Sequence, residues 1–257
     1  MVKGLYTAYT GMLNQQNKMD VISNNMANAA TTGYKKEGST AQSFDSVLAV
    51  KIKDQSVAVA SQRIGTMNLG VKIGENYTDY SQGAFKTTDN TYDLALSGNG
   101  FFCIEFTNKA GETSTKYTRD GSFTLNVDGY LVTKDGDYVL DENGRHIQLD
   151  TLATSAIDEN GTIYQNDRVV ATIGLQDFAD YNYLEHYGEN YYQPVEGAEF
   201  VDADAQMFSG YLEASNVQVV SEMVELISIT RAYESNQKVI QTIDSTLDKA
   251  VNQLGQV

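Results

Sequence analysis

The residues able to do chemistry are few and badly spaced for it. The single cysteine, Cys103, lies among Phe101, Phe102, Ile104 and Phe106. That setting suits a small buried hydrophobe better than a nucleophile, which needs an accessible, electropositive site. The two histidines, His146 and His186, stand forty positions apart and read as surface residues, so no thiolate–imidazole set for zinc exists. Asp135, Asp137, Asp141 and Glu142 crowd one stretch. A calcium loop needs oxygen ligands at alternating positions with glycine sixth; here Gly136 comes second, so solvated turns are the better reading. Gly98-Asn99-Gly100 lacks the third glycine of a dinucleotide loop and reads as a hairpin turn. Among 34 acidic residues some carboxylate pair can always be found, so an acidic extracytoplasmic hydrolase stays open as a reading of another class. No catalytic residue, cofactor, metal or small-molecule substrate is expected.

The scaffold around these residues is more informative. The chain has 257 residues and a formal net charge of −16, from 18 basic and 34 acidic side chains. No basic excess exists to neutralise phosphates or to hold an anionic membrane, so nucleic acid is not an expected partner. No run of about 18 apolar residues occurs. Lys3 is the only early positive charge, and Asn14, Gln15, Gln16 and Asn17 interrupt the apolar positions, so no cleaved secretory signal is expected. With one proline, 21 glycines and 17 tyrosines, the composition suits β-structure with Gly/Asn/Asp turns.

Three zones follow from periodicity. From Met1 to about Asn28, Val2, Leu5, Tyr9, Met12, Met19 and Met26 recur at steps of three and four, with Gln16 and Ser23 completing the row. That is the seam of an amphipathic helix. It ends in Asn24, Asn25, Asn28, Thr31, Thr32 and Gly33, which compete with a helix or offer a φ > 0 exit. Residues 35–70 show no clean period and read as an irregular or extended connector. Farther on, Val71/Ile73, Phe123/Leu125 and Val169/Ala171/Ile173 alternate with polar neighbours. Asp120-Gly121, Asp128-Gly129, Asp135-Gly136 and Asn143-Gly144 follow at steps of 8, 7 and 8 residues. Such dipeptides tolerate φ > 0 at both turn positions and mark short antiparallel hairpins. Residues 177–208, acidic and rich in tyrosine, read as loop-dominated.

The last zone is helical from Ser215 to about Leu254. Ser215 with Gln218 reads as a capping box. Its seam runs Val219, Glu222, Leu226, Ile229, Tyr233, Asn236, Ile240, Ile243, Leu247, Ala250 and Leu254. The lone Asn236 would fix register at some cost in stability. The expected fold class is α+β, with long, coiled-coil-like N- and C-terminal helices flanking a central, mainly antiparallel β domain. The expected boundaries are 1–34 for the first helix and its turn, 35–70 for the connector, 71–211 for the β domain and 212–257 for the last helix. Both seams need cover. They can pair within one chain, or face other copies as in a filament.

Four blocks carry a family resemblance. Asn25-Met26-Ala27-Asn28 with Thr31-Thr32-Gly33-Tyr34-Lys35 resembles the N-terminal motif of bacterial flagellar rod and hook proteins. Thr88-Asp89-Asn90 through Asp93-Leu94-Ala95-Leu96, Gly98 and Gly100-Phe101-Phe102 resembles a second block. Tyr117-Thr118-Arg119-Asp120-Gly121-Ser122-Phe123 resembles a third. The fourth is Gly210-Tyr211-Leu212-Glu213-Ala214-Ser215-Asn216-Val217 with Glu222, Leu226, Ile227, Arg231-Ala232-Tyr233-Glu234 and Lys238. Position 91 is Thr where the family commonly has Pro. The length looks most like a basal-body rod subunit, with a hook or hook-associated subunit as the alternative. The resemblance implies a structural subunit of the rod, self-assembling into a helical tube through its terminal helices and transmitting torque. It implies copies of itself and other rod or hook subunits as partners, and the flagellar export apparatus during secretion. It places the protein in the basal body, outside the cytoplasmic membrane. Arg119 and Asp120 are read equally as a structural pair or an intersubunit contact; Arg231 and Glu234 are read as selectors of partner and orientation.

Overall fold

Two long helices carry the ends of the chain. The computed structural model describes residues 2–52, 61–109, 111–188 and 190–252. Helix α1 is Val2–Ala27 and helix α2 is Val219–Asn252, about 39 and 51 Å long at 1.5 Å per residue. The chain divides into two compact units. The helix unit takes residues 1–27, 37–79 and 218–257, and the β unit takes 28–36 and 80–217. The backbone therefore passes between the units four times, at 27/28, 36/37, 79/80 and 217/218.

In the helix unit, α1 and α2 run antiparallel. A methyl group at Gly4 would lie 3.8 Å from Ile243 Cδ1, and one at Gly11 would lie 3.1 Å from Asn236 Nδ2. Farther along, Asn25 Nδ2 reaches Glu222 Oε2 at 3.5 Å. Each seven-residue step on α1 is matched by a seven-residue step back on α2. Strands 37–43 and 71–78 pair antiparallel, as do 47–52 and 61–67. The stretch read as an irregular or extended connector is extended, and its strands are paired. Strand 37–43 buries neither face fully, so it needs no alternation, and its sequence shows none. Residues 71–79 join this unit rather than the β domain expected from 71 onward.

The expected capping box at Ser215 and Gln218 is not formed. Ser215 Oγ accepts from Val217 N at 3.2 Å, closing a local turn, and the Gln218 carbonyl accepts the first helical bond, from Glu222 N. Ser215–Val217 belong to the β unit, which delays α2 to Val219.

The β unit is an antiparallel assembly. Its main sheet orders the strands 184–187, 191–194, 113–118, 101–107, 138–139, 131–132 and 124–125, with 175–178 also pairing to 101–107. Residues 177–208, read as loop-dominated, supply strands to it, and Tyr192 from that stretch is core. Neighbouring residues Phe101 and Phe102 point to opposite faces. Phe102 and Ile104 join the core of Leu94, Phe123, Leu131 and Ile163, while Phe101 joins Tyr117, Phe178 and Tyr192. Fully burying such a side chain is worth about 1.5–3 kcal/mol.

Most of the Asp-Gly and Asn-Gly turns are hairpins of a different geometry from the one expected; Asp120-Gly121 is not among them, its glycine lacking positive φ and its carbonyl accepting from Leu94 N and Phe123 N. At Gly129, Gly136, Gly144 and Gly161 the glycine N–H bonds back three residues while the outer pair closes one residue beyond. Only the glycine has positive φ, as in a type I turn with a glycine bulge. Both turn residues have positive φ at Asn166-Asp167 instead.

Candidate functional site

The first candidate surface is the helix seam. On α2, Ile229 is buried, Leu226, Tyr233, Asn236, Ile240 and Ile243 are half-buried, and Val219 and Leu247 are exposed. On α1 the line facing α2 is displaced by one residue from the expected one. Leu5, Met12, Met19 and Met26 are half-buried flanks, and Tyr9 is exposed. The close approaches come from Gly4, Gly11 and Asn25, with Ala8 and Ile22 buried between them. Small residues let the helix axes approach, and the larger ones close over the sides. One residue is about 100° of helix rotation, enough to move a side chain from contact to rim. The side chain of Val2, and Leu254, lie outside the described residues.

Asn25 and Glu222 anchor this unit, and both are buried. Asn25 Nδ2 donates to the Glu37 carbonyl at 2.8 Å, and Glu37 N donates to Asn25 Oδ1 at 2.9 Å. An asparagine amide presents the same donor–acceptor pair as a peptide, so it completes a ladder step between α1 and strand 37–43. Thr7 Oγ1 donates to the Leu69 carbonyl, and Gly70 packs where a methyl would meet Thr10 Oγ1.

The second candidate lies within the β unit, where the four motif blocks meet. Glu213 Oε1 accepts from Lys35 Nζ at 2.6 Å and from Gly83 N at 2.8 Å. Glu213 Oε2 lies 3.6 Å from Arg119 Nη1. All three charged side chains are buried. Lys35 Nζ also donates to the Ser81 carbonyl, and Arg119 Nη2 to the Gly98 carbonyl at 2.7 Å. The Arg119 guanidinium stands 5.3 Å from the Phe101 ring centre. One carboxylate thus answers two cations in a desolvated place, and removing one member would strand charge at a cost of about 3–5 kcal/mol.

The turn at 28–36 locks onto the same place. Gly33 N donates to the Glu213 carbonyl at 2.8 Å, and its φ is +69°. A Cβ there would lie 2.4 Å from Asp120 N, so both conformation and space demand glycine. Thr32 Oγ1 donates to Asp120 Oδ1 at 2.7 Å, and that oxygen also accepts from Ser122 N and Ser122 Oγ. Lys36 N donates to Asn216 Oδ1, and Asn216 Nδ2 to the Ser81 carbonyl. Within one chain, Arg119 and Asp120 both hold the fold. Tyr34 is buried edge-on to His186, so His186 is not the simple surface residue expected. Gly100, Phe102 and Gly121 are buried; Asn28 and Ser215 are half-buried. Ala27, Arg231 and Glu234 are exposed on the helices. The sequence reading missed Lys35 and Gly83 as partners of Glu213, and Ser81 as the second acceptor for Lys35. A buried-ion reading of the Lys35, Arg119 and Glu213 motif positions was the available signal.

The reactive residues have no role here. Burial pushes the Cys103 thiol up to about 12, away from thiolate chemistry. Asp135 and Asp137 both accept from Tyr191 Oη, at 3.2 and 2.9 Å; burial, then Asp137, raises that phenol above its ordinary range. Among the described residues, no three His, Cys, Asp or Glu side chains are placed to hold a metal ion. None of the described helices is long and apolar enough to cross a membrane.

Among the buried motif residues, Gly33, Lys35, Arg119 and Glu213 hold backbone or charge in place, while Phe101, Phe102 and Phe123 pack the core, so the four blocks serve the fold. Comparison with known proteins then assigns the family. Residues 5–35 match the flagella basal body rod protein family, 95–165 the flagellar hook protein FlgE/F/G D1 domain, and 209–254 the flagellar basal body rod FlgEFG protein C-terminal family. The chain is 36% identical to the flagellar basal-body rod protein FlgG of Bacillus subtilis (strain 168), covering 98% of this chain and 99% of that one. It is 36% identical to the flagellar basal-body rod protein FlgF of Caulobacter vibrioides, with both chains covered in full. It is 32% identical to the flagellar hook-basal body complex protein FlhO of Bacillus subtilis, again over both full lengths. The chain belongs to the flagellar basal-body rod protein family. It is a structural subunit of the flagellar basal body, not an enzyme, and the hydrolase reading falls away.

Proposed function

We propose that this subunit polymerises through its helix unit into a helical tube that carries torque, with copies of itself and other rod or hook subunits as neighbours. The coiled-coil-like register of α1 on α2 supports this reading, and the division of charge carries it. The helix unit has nine basic and 11 acidic residues, so it is nearly neutral. The β unit has nine basic and 23 acidic residues, a net of −14. Copies can bring near-neutral helices together at little electrostatic cost, whereas the acidic units repel. The seam residues Leu5, Met12, Met19, Leu226, Ile229, Tyr233, Asn236, Ile240 and Ile243 then stiffen each subunit, and exposed apolar positions meet neighbours. Passage through the flagellar export apparatus without a cleaved signal, and a place outside the cytoplasmic membrane, complete the proposal.

The test is genetic. In cells lacking their own copy, the full chain should restore rods and swimming, while a chain lacking residues 1–27 should restore neither. Rods built from the shortened chain would refute assembly through the helices.

A further inference from the structure

A cleft of about 310 Å³ opens within the β unit, where the turn at 28–36 meets residues 118–122, the turn at 133–135 and residues 190–191. Ligand clefts begin at about 300 Å³, so this one has room for a small molecule. Hydroxyl side chains line most of it, and their protons are already committed. Thr32 Oγ1 and Ser122 Oγ each donate to Asp120 Oδ1 at 2.7 Å. Thr118 Oγ1 donates to the Asn190 carbonyl at 2.9 Å. Tyr191 Oη donates toward Asp137 Oδ2 at 2.9 Å and Asp135 Oδ2 at 3.2 Å. A hydroxyl has one proton and two lone pairs, so these oxygens keep only acceptor capacity for a ligand. Asp120 takes its bonds on Oδ1 and Asp135 on Oδ2, which leaves each carboxylate a second oxygen able to accept. Asn190, in the same lining, has its Oδ1 buried with no partner among the described residues; a slight turn of the side chain would give it a ligand donor. Lys134 is exposed and is the one cation in the lining.

We infer that this cleft binds a neutral saccharide, whose hydroxyls donate to Asp120, Asp135 and the wall oxygens while one accepts from Lys134. The mixture of groups decides the class of ligand. An apolar molecule would strip water from the wall and return no hydrogen bond. A small cation would use the acceptors but stand beside Lys134. An anion would use Lys134 but face two carboxylates. A polyhydroxylated ring answers both, since each of its hydroxyls is donor and acceptor at once. Its bonds to the carboxylates are charge-assisted, about twice as strong as neutral ones, so the two aspartates carry the affinity. Asp120 is already fixed by Thr32 Oγ1, Ser122 N and Ser122 Oγ, so binding orders little that is not ordered beforehand. The inference is independent of how copies of the chain assemble.

The test is saturation-transfer NMR on the purified full-length chain with glucose, N-acetylglucosamine and maltose at millimolar concentration. At least one sugar should receive magnetisation from the protein. Asp135→Asn and Lys134→Met change exposed lining residues and leave the Asp120 contacts intact, with thermal melting as the control for folding. Each should weaken the binding ~10-fold or more. Asp128→Asn, in an exposed turn outside the cleft, removes the same charge as Asp135→Asn and should leave binding at the parent value. No transfer to any of the sugars would overturn the inference. Equal binding by the parent and both cleft variants would place the sugar elsewhere and overturn it as well. Spermidine is the third arm: displacement of the sugar by spermidine, with tighter spermidine binding in Lys134→Met, would make this a cation site instead.

Discussion

The two units of this subunit solve opposite problems. The β unit buries its motif residues around Glu213, answers each charge internally and leaves a strongly acidic exterior. The helix unit is nearly neutral, has few fully buried side chains and leaves long apolar stripes in water. A domain that must stay itself closes its interior and repels its neighbours. Under the proposed assembly, the helix unit gains its remaining stability from the copies it meets, and this division separates folding from assembly within one chain.

Three substitutions break or sharpen that contrast. Lys35→Met leaves the Glu213 carboxylate buried with a poorer partner, and should cost the β unit about 3–5 kcal/mol in urea unfolding followed by tyrosine fluorescence. Retention of the parent midpoint would show that the cluster is not what closes this unit. Ile229→Ala, on the buried line of α2, should cost about 2–3 kcal/mol of helix-pair stability, read by amide exchange in α1 and α2. It should leave exchange in the strands of the β unit unchanged; equal loosening of both would deny their separateness. The smallest effect is Asp141→Asn. Burial works against the Asp141 anion, but N–H groups of Arg145 and Asn143 hold its pKa below the ordinary 3.8. A depressed folded pKa contributes stability that is present above about pH 4 and lost as pH falls through the lowered value. Solvent screens this turn, so the variant should lose only ~0.3 kcal/mol at pH 7 and nothing at pH 2, by thermal melts at the two pH values.

Much of the helix unit was legible and its details were not. Steps of three and four located both helices, because a water-facing helix must keep its apolar residues to one side. The facing line on α1 was misplaced by one residue because apolar size was counted, whereas Gly4, Ala8 and Gly11 are what permit approach. Their own spacing, at i, i+4 and i+7, was the signal to read. Strand 37–43 left no pattern, since neither of its faces is deeply buried. The β unit was legible through its glycine turns, although the turns place φ > 0 on glycine alone. The motif blocks were visible as text, but their meeting around Glu213 was not, because a buried ion cluster joins positions as distant as 35 and 213.

The four crossings of the backbone between the units have a mechanical result. A domain hung on one linker is lost when that linker is cut, and it swivels freely until then. Here a protease nick at any single crossing leaves the other three chain connections between the units in place. A shaft component wired in this way tolerates damage that would sever a beads-on-a-string protein.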